Sequence, residues 1–166
     1  METTNTARAA RGAVAVGAFV AAAAQAGSTL TSGDRAELGR AAVEAFTLAT
    51  NDAADAEALA ADEPAEILAS VLADVYHHAD GIRAPHALLG AALLELSTTV
   101  NMLPALRALG DDGRPGILAC TIAALLAYGD DQGAPVHEVT DSAYDYWADE
   151  VEEERFMAVR AARYAQ

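Results

Sequence analysis

The sequence predicts an all-α protein, a single-domain bundle of about six helices. Three observations carry this. Apolar residues recur at intervals of three and four through long stretches, as they do on one face of a helix. Glycine and proline fall between those stretches, at Gly27, Pro64, Gly81, Pro85, Gly110 and Pro115, where helices end and restart. Hydrophobic residues make up 53% of the chain and aromatics only 5%. That composition suits small-residue helices packed closely together, with alanine burying little area per residue.

At 166 residues the chain can bury the core of one domain, 1–166. Its formal net charge is -15 and it contains no lysine. Such a chain is unsuited to neutralising phosphates, so binding to nucleic acid or to anionic membranes is not expected. The charge is compatible with solubility, a cationic partner or a bound divalent metal. The single cysteine, Cys120, rules out an internal disulfide. It stands among Ile117, Leu118 and Ile122, as a buried small apolar residue would.

Residues 1–26 read as the first helix, ending near Gly27-Ser28. Arg8 and Arg11 precede GAVAVGAFVAAAA, and Ala24-Gln25-Ala26 has the form of a small-residue cleavage site, which is the outline of a secretory signal. Only Val14, Val16, Phe19 and Val20 in that run are large. An amphipathic helix in a cytoplasmic protein is therefore preferred, and the run is too short and weak to span a membrane. The second helix is expected over 31–50, capped by Ser32 or Asp34, with Leu38, Ala42, Ala45, Phe46 and Ala49 at helical spacing. Residues 51–63 form an acidic connection.

The third helix starts at Pro64, which loses nothing by lacking an N–H in the first turn. Its apolar face is the clearest in the chain: Ile67, Leu68, Val71, Leu72, Val75, Tyr76 and Ala79. At about 100° per residue, Glu66, Ser70, Asp74 and His77 fall opposite, on the face that normally meets water. His78 lies at the border, and Asp80-Gly81 closes the helix. The fourth helix runs from Pro85 to about Leu109. Leucines at 88, 89, 93, 94 and 96 cover much of its circumference, as in a central helix, and Pro104 should kink or end it. A plain loop at 110–113 precedes the fifth helix at Pro115. That helix has a bulky face and a small-residue face, so burial on both sides is expected. The last helix begins near Thr140 or Asp141. Tyr144, Trp147, Ala148 and Val151 form a docking or subunit-contact stripe. Acids at 149, 150 and 152–154 and arginines at 155, 160 and 163 follow, an order that complements the helix dipole.

A shift of fifty positions aligns Ile67-Leu68-Ala69 with Ile117-Leu118-Ala119, Asp80 with Asp130, and Ala84-Pro85 with Ala134-Pro135. Two related helix–turn–helix units account for this, as do two ordinary hairpins with similar punctuation. The second copy keeps the apolar elements and loses polar ones: Asp74 corresponds to Ala124 and His77 to Ala127.

Two groups of residues are candidates for chemistry. On the third helix, Glu66, Ser70, Asp74 and His77 or His78 repeat about once per turn, a spacing at which carboxylates and imidazoles could share a divalent metal or pair acid with imidazole. On the fourth, Glu95 sits among leucines beside Thr98, Thr99 and Asn101. There it could have a raised pKa, or bind a cationic ligand in a small pocket. No nucleophile elbow, phosphate-binding glycine loop, zinc cysteine cluster or haem motif is present.

The stretch LASVLADVYHHADGIRAPHALL resembles the second metal-binding helix of the MazG-like all-α nucleotide pyrophosphohydrolases, and the resemblance covers roughly Asp34 to Leu89. It implies a helix with a Glu-x-x-x-Asp pair, an earlier helix with Glu-x-x-Glu, and four carboxylates holding Mg2+ against a nucleotide. Here Glu66 matches the first acid of the pair and Ser70 replaces the aspartate. Glu44 matches the second acid of the earlier pair and Ala41 replaces the first. Asp74 is the nearest further carboxylate, so Glu44, Glu66 and Asp74 are the candidate metal ligands.

The leading expectation is a non-catalytic helical interaction or ligand-binding module on a decayed nucleotide-hydrolase scaffold, acting as a homo-oligomer or with a protein partner. The alternatives are a metal-dependent pyrophosphohydrolase, and a small-pocket enzyme or binder centred on Glu95. The candidate pocket residues are His77, His78, Glu95, Thr99 and Asn101.

Overall fold

A computed structural model describes residues 4–49 and 63–164. Among them are seven α-helices: α1 (Asn5–Ala23), α2 (Ser32–Ala49), α3 (Pro64–His78), α4 (Pro85–Glu95), α5 (Leu103–Ala108), α6 (Arg114–Asp131) and α7 (Val136–Tyr164). The all-α bundle expected from periodicity is thus observed. Of the acidic connection expected at 51–63, residues 51–62 lie outside the described residues.

Local chemistry sets the helix ends. Thr4 Oγ1 accepts from Ala7 N–H at 3.3 Å to open α1. At α2, Thr31 caps rather than Ser32: Asp34 N–H donates to Thr31 Oγ1 at 3.1 Å and Thr31 N–H donates to Asp34 Oδ2 at 2.8 Å, a reciprocal capping box. Proline occupies the first turn of α3, α4, α5 and α6. Gly81 and Gly133 take positive φ, 78° and 76°, just beyond α3 and α6, where any residue with a Cβ would be strained.

Several expectations are corrected. The fourth helix ends at Glu95, not near Leu109. Ser97 Oγ donates to the Leu94 carbonyl at 2.7 Å and Thr98 Oγ1 to that of Glu95 at 3.0 Å, occupying the carbonyls a continuing helix would use. The chain then pairs with the α1–α2 connection: Leu30 N–H donates to Thr99 O at 2.8 Å and Asn101 N–H to Ser28 O at 3.0 Å. Pro104 therefore sits in the first turn of α5 instead of kinking a long helix. Nor is α4 central, since Leu93 and Leu94 are 47% and 72% exposed. The central element is α6, whose residues 118–126 are all buried, as its two-sided apolar character predicts. The last helix starts earlier than expected, at Val136, and residues 110–113 form a 3-10 turn rather than a plain loop.

Packing follows an exchange pattern. α1 lies along α3, and α2 along α6; α7 packs on α3, and α4 on α6. α1 also meets α2, and α3 meets α6. Swapping α1 with α2, α3 with α6 and α4 with α7 leaves this scheme unchanged. The closest approaches obey the same swap. A Cβ added to Gly12 would collide with the backbone of Asp74, and one added to Gly39 with the backbone of Ala124. Asp74 and Ala124 are the fifty-residue equivalents, so the repeat read from 66–89 has a counterpart in α1 and α2.

Candidate functional site

The polar residues of α3 do not face water as a group. Glu66 is exposed, but Asp74 and His77 are each only 3% exposed. α1 and α7 cover them, and each supplies the complementary charge. Arg11 Nε donates to Asp74 Oδ2 at 2.7 Å. His77 Nε2 lies 2.9 Å from Glu150 Oε2, and Arg8 Nε lies 2.7 Å from Glu150 Oε1. The second imidazole nitrogen, His77 Nδ1, is buried without a hydrogen-bond partner among the described residues and stands 3.8 Å from Asp80 Oδ2. Burial pushes the Asp74 carboxyl up to about 7, while Arg11 pulls against it. The helix is amphipathic as predicted, but its polar side is buried as a charge cluster because two further helices close over it.

The proposed metal ligands are not brought together. Glu44 is exposed and held by Arg40, which also pairs with Glu37. Asp74 is committed to Arg11. No group of three or more His, Cys, Asp or Glu side chains among the described residues is placed to hold a metal ion.

The candidate pocket residues separate as well. Asn101 is a buried structural staple: its Nδ2 donates to Ala23 O at 3.1 Å and Gly27 O at 3.0 Å, and its Oδ1 accepts from Leu103 N–H at 3.2 Å. His78 lines an apolar hollow beside Ile117 and Arg114. Burial, with a lesser contribution from Arg114, lowers its pKa. Glu95 and Cys120 are close enough to interact, and burial, reinforced by Glu95, pushes the Cys120 thiol up to about 12. A redox or nucleophilic role for that thiol is unsupported.

A cleft of about 590 Å3 does lie next to Glu95, between α2, α6 and the end of α4. Thr98 and Thr99 line it together with Arg35, Ala127 and Asp130. Arg35 is 4% exposed, and its Nη2 donates to Thr98 O at 3.0 Å and to Thr98 Oγ1 at 3.3 Å. Thr98 Oγ1 in turn stands 3.4 Å from Glu95 Oε2.

The other conspicuous surface is the outer half of α7. Residues 152–164 are helical and exposed on every side. Phe156 is 65% exposed, Met157 41%, Val159 49% and Tyr164 80%. The expected docking stripe belongs to the inner half of the same helix. There Trp147 packs against the core, while Tyr144 remains 47% exposed and stacks at a tilt on Trp147.

No family model, curated protein or solved structure matches this chain. Among the described residues no helix is long and apolar enough to cross a membrane. Sequence reasoning missed Arg8, Arg11, Arg35 and Glu150 as parts of either polar region. For Arg8 and Arg11 the available signal was a cation on the otherwise apolar α1, where leaving it unpaired would be costly; Arg35 and Glu150 lie on charged helices that gave no such signal.

Proposed function

We propose that this protein is a cytoplasmic, non-catalytic helical module that self-associates through the outer half of α7. The observation that carries this reading is the continuation of α7 as an exposed helix bearing Phe156, Met157, Val159 and Tyr164. A lone helical extension gains its stability chiefly by packing an apolar face. Phe156 and Val159 share one face with Glu152 and Arg163, at intervals of three and four residues. A second copy is the fitting occupant because the segment is self-complementary. Glu152, Glu153 and Glu154 precede Arg155, Arg160 and Arg163. An antiparallel pairing sets the acids of one copy beside the arginines of the other, which is the isologous arrangement of a two-fold dimer. The net charge of -15 disfavours nucleic acid as the alternative occupant.

The non-catalytic part of the reading is supported by the fate of the carboxylates: Glu44 is spent on Arg40 and Asp74 on Arg11.

Sedimentation equilibrium tests the proposal. The full chain should be a dimer at micromolar concentration, weakened as salt rises to about 0.5 M, where exposed charge pairs are screened. Phe156→Glu combined with Val159→Glu should give a folded monomer whose melting temperature no longer depends on protein concentration, because both positions are exposed in the single chain. A wild-type monomer under all these conditions would refute the assignment.

A further inference from the structure

The exchange symmetry of the bundle gives the Arg35 cleft a template. Superposing Gly12 on Gly39, the two glycines at equivalent helix crossings, places Arg8 on Arg35. In the same correspondence His77 falls on Ala127, and Asp80 on Asp130. Ala127, Asp130 and Arg35 all line the cleft. The cleft is therefore the second copy of the place where, in the first copy, Arg8 and His77 hold Glu150.

The two copies differ in what fills them. In the first, α7 continues through its inner stripe and delivers the Glu150 carboxylate to Arg8 at 2.7 Å. In the second, the corresponding helix is α4, which stops at Glu95. The chain turns away at residues 96–99, and the histidine is replaced by alanine. The space that a helix and an imidazole occupy in one half is open in the other. Arg35 is left there, 4% exposed, with no ion-pair partner among the described residues. Only its Nη2 is engaged, by Thr98, whose hydroxyl links it to Glu95 at 3.4 Å.

We infer that the cleft beside Arg35 binds a small organic carboxylate with an apolar body. The carboxylate takes the place that Glu150 takes against Arg8, and the body lies along Leu96, Leu126 and Val136. A guanidinium receives a carboxylate through paired N–H donors. The volume, about 590 Å3, lies within the range of small-molecule sites. One cation stands at the site, with Asp130 on its wall and Glu95 behind Thr98. The two carboxylates repel added negative charge, so a monoanion paired with Arg35 is favoured over a dianion such as phosphate, whose second charge would be uncompensated.

Titration calorimetry with the full chain and hexanoate provides the test, with hexanamide and inorganic phosphate as comparison ligands. Hexanoate should bind saturably, with Kd on the order of 1 mM or tighter for so few heavy atoms. Hexanamide and phosphate should each bind at least about tenfold more weakly, a difference of about 1.4 kcal/mol. Arg35→Gln should abolish binding. Because that substitution touches a buried side chain, Ala127→Leu serves as the second variant. It fills the cleft from its half-buried wall, leaves Arg35 in place, and should weaken hexanoate at least about tenfold. Absence of saturable hexanoate binding overturns the inference. So does equal binding of hexanamide, tighter binding of phosphate, or a folded Ala127→Leu variant that binds as the wild type does.

Discussion

Buried charge decides the character of individual residues here. Asp74 shows how. Its carboxyl titrates near 7 in the folded protein, against about 3.9 in an unfolded chain. Between those values the folded state holds a proton that the unfolded state has released. The residue's contribution to stability therefore falls as pH rises through that window, and the loss is complete above it. Asp74→Asn keeps the shape and an acceptor for Arg11 but cannot ionise. In urea unfolding, wild-type stability relative to that variant should drop by about 4 kcal/mol between roughly pH 4 and pH 8; parallel pH profiles would contradict this. Asn101 acts without charge. Truncating Asn101→Ala leaves the Ala23 and Gly27 carbonyls without its two N–H donors, and should cost about 2 kcal/mol by the same measurement. The sequence places Asp74 on the polar face of its helix and Asn101 beside Glu95 on an apolar one. Their partners, Arg11 and the carbonyl of Ala23, are 63 and 78 residues away, beyond the reach of any local pattern.

Among the elements, α3 and α6 are the ones around which the others pack. Their small residues allow α1 and α2 to approach until only glycine fits at the crossing. Gly12→Ala and Gly39→Ala should each destabilise by about 2–4 kcal/mol, because the added methyl meets backbone rather than a side chain that can move. The two crossings belong to different halves, so the double variant should be close to additive; chemical denaturation of the four proteins checks both claims. Helix existence and most boundaries followed from periodicity and from proline and glycine punctuation. The early end of α4 did not. Its leucines continue the helical rhythm as far as Leu96, and the stop comes from hydroxyls at 97 and 98 together with backbone pairing to residues 28–30. That pairing is a long-range event.

For the molecule as a whole, two features follow from the exchange symmetry and its breaking: a filled polar site in one half and an open cleft in the other. The same helix that fills the first, α7, continues outward as the exposed segment proposed to pair with a second copy. Hydrogen exchange offers a check on that division. The amides of α3 and α6 should exchange most slowly. Those of residues 152–164 should exchange fast in the Phe156→Glu, Val159→Glu variant and be protected in the wild type; fast exchange in both would tell against pairing. The sequence by itself determined the helical class, most helix boundaries and the buried α6, because these rest on periodicity and local backbone chemistry. Only the tertiary structure decided that Asp74 and His77 are covered, that Glu44 and Asp74 are spent on arginines, and that Arg35 stands in a cleft with no direct ion-pair partner among the described residues. The physical reason is that a helical face is polar or apolar by its own sequence, but whether water or another helix meets that face depends on where distant segments pack.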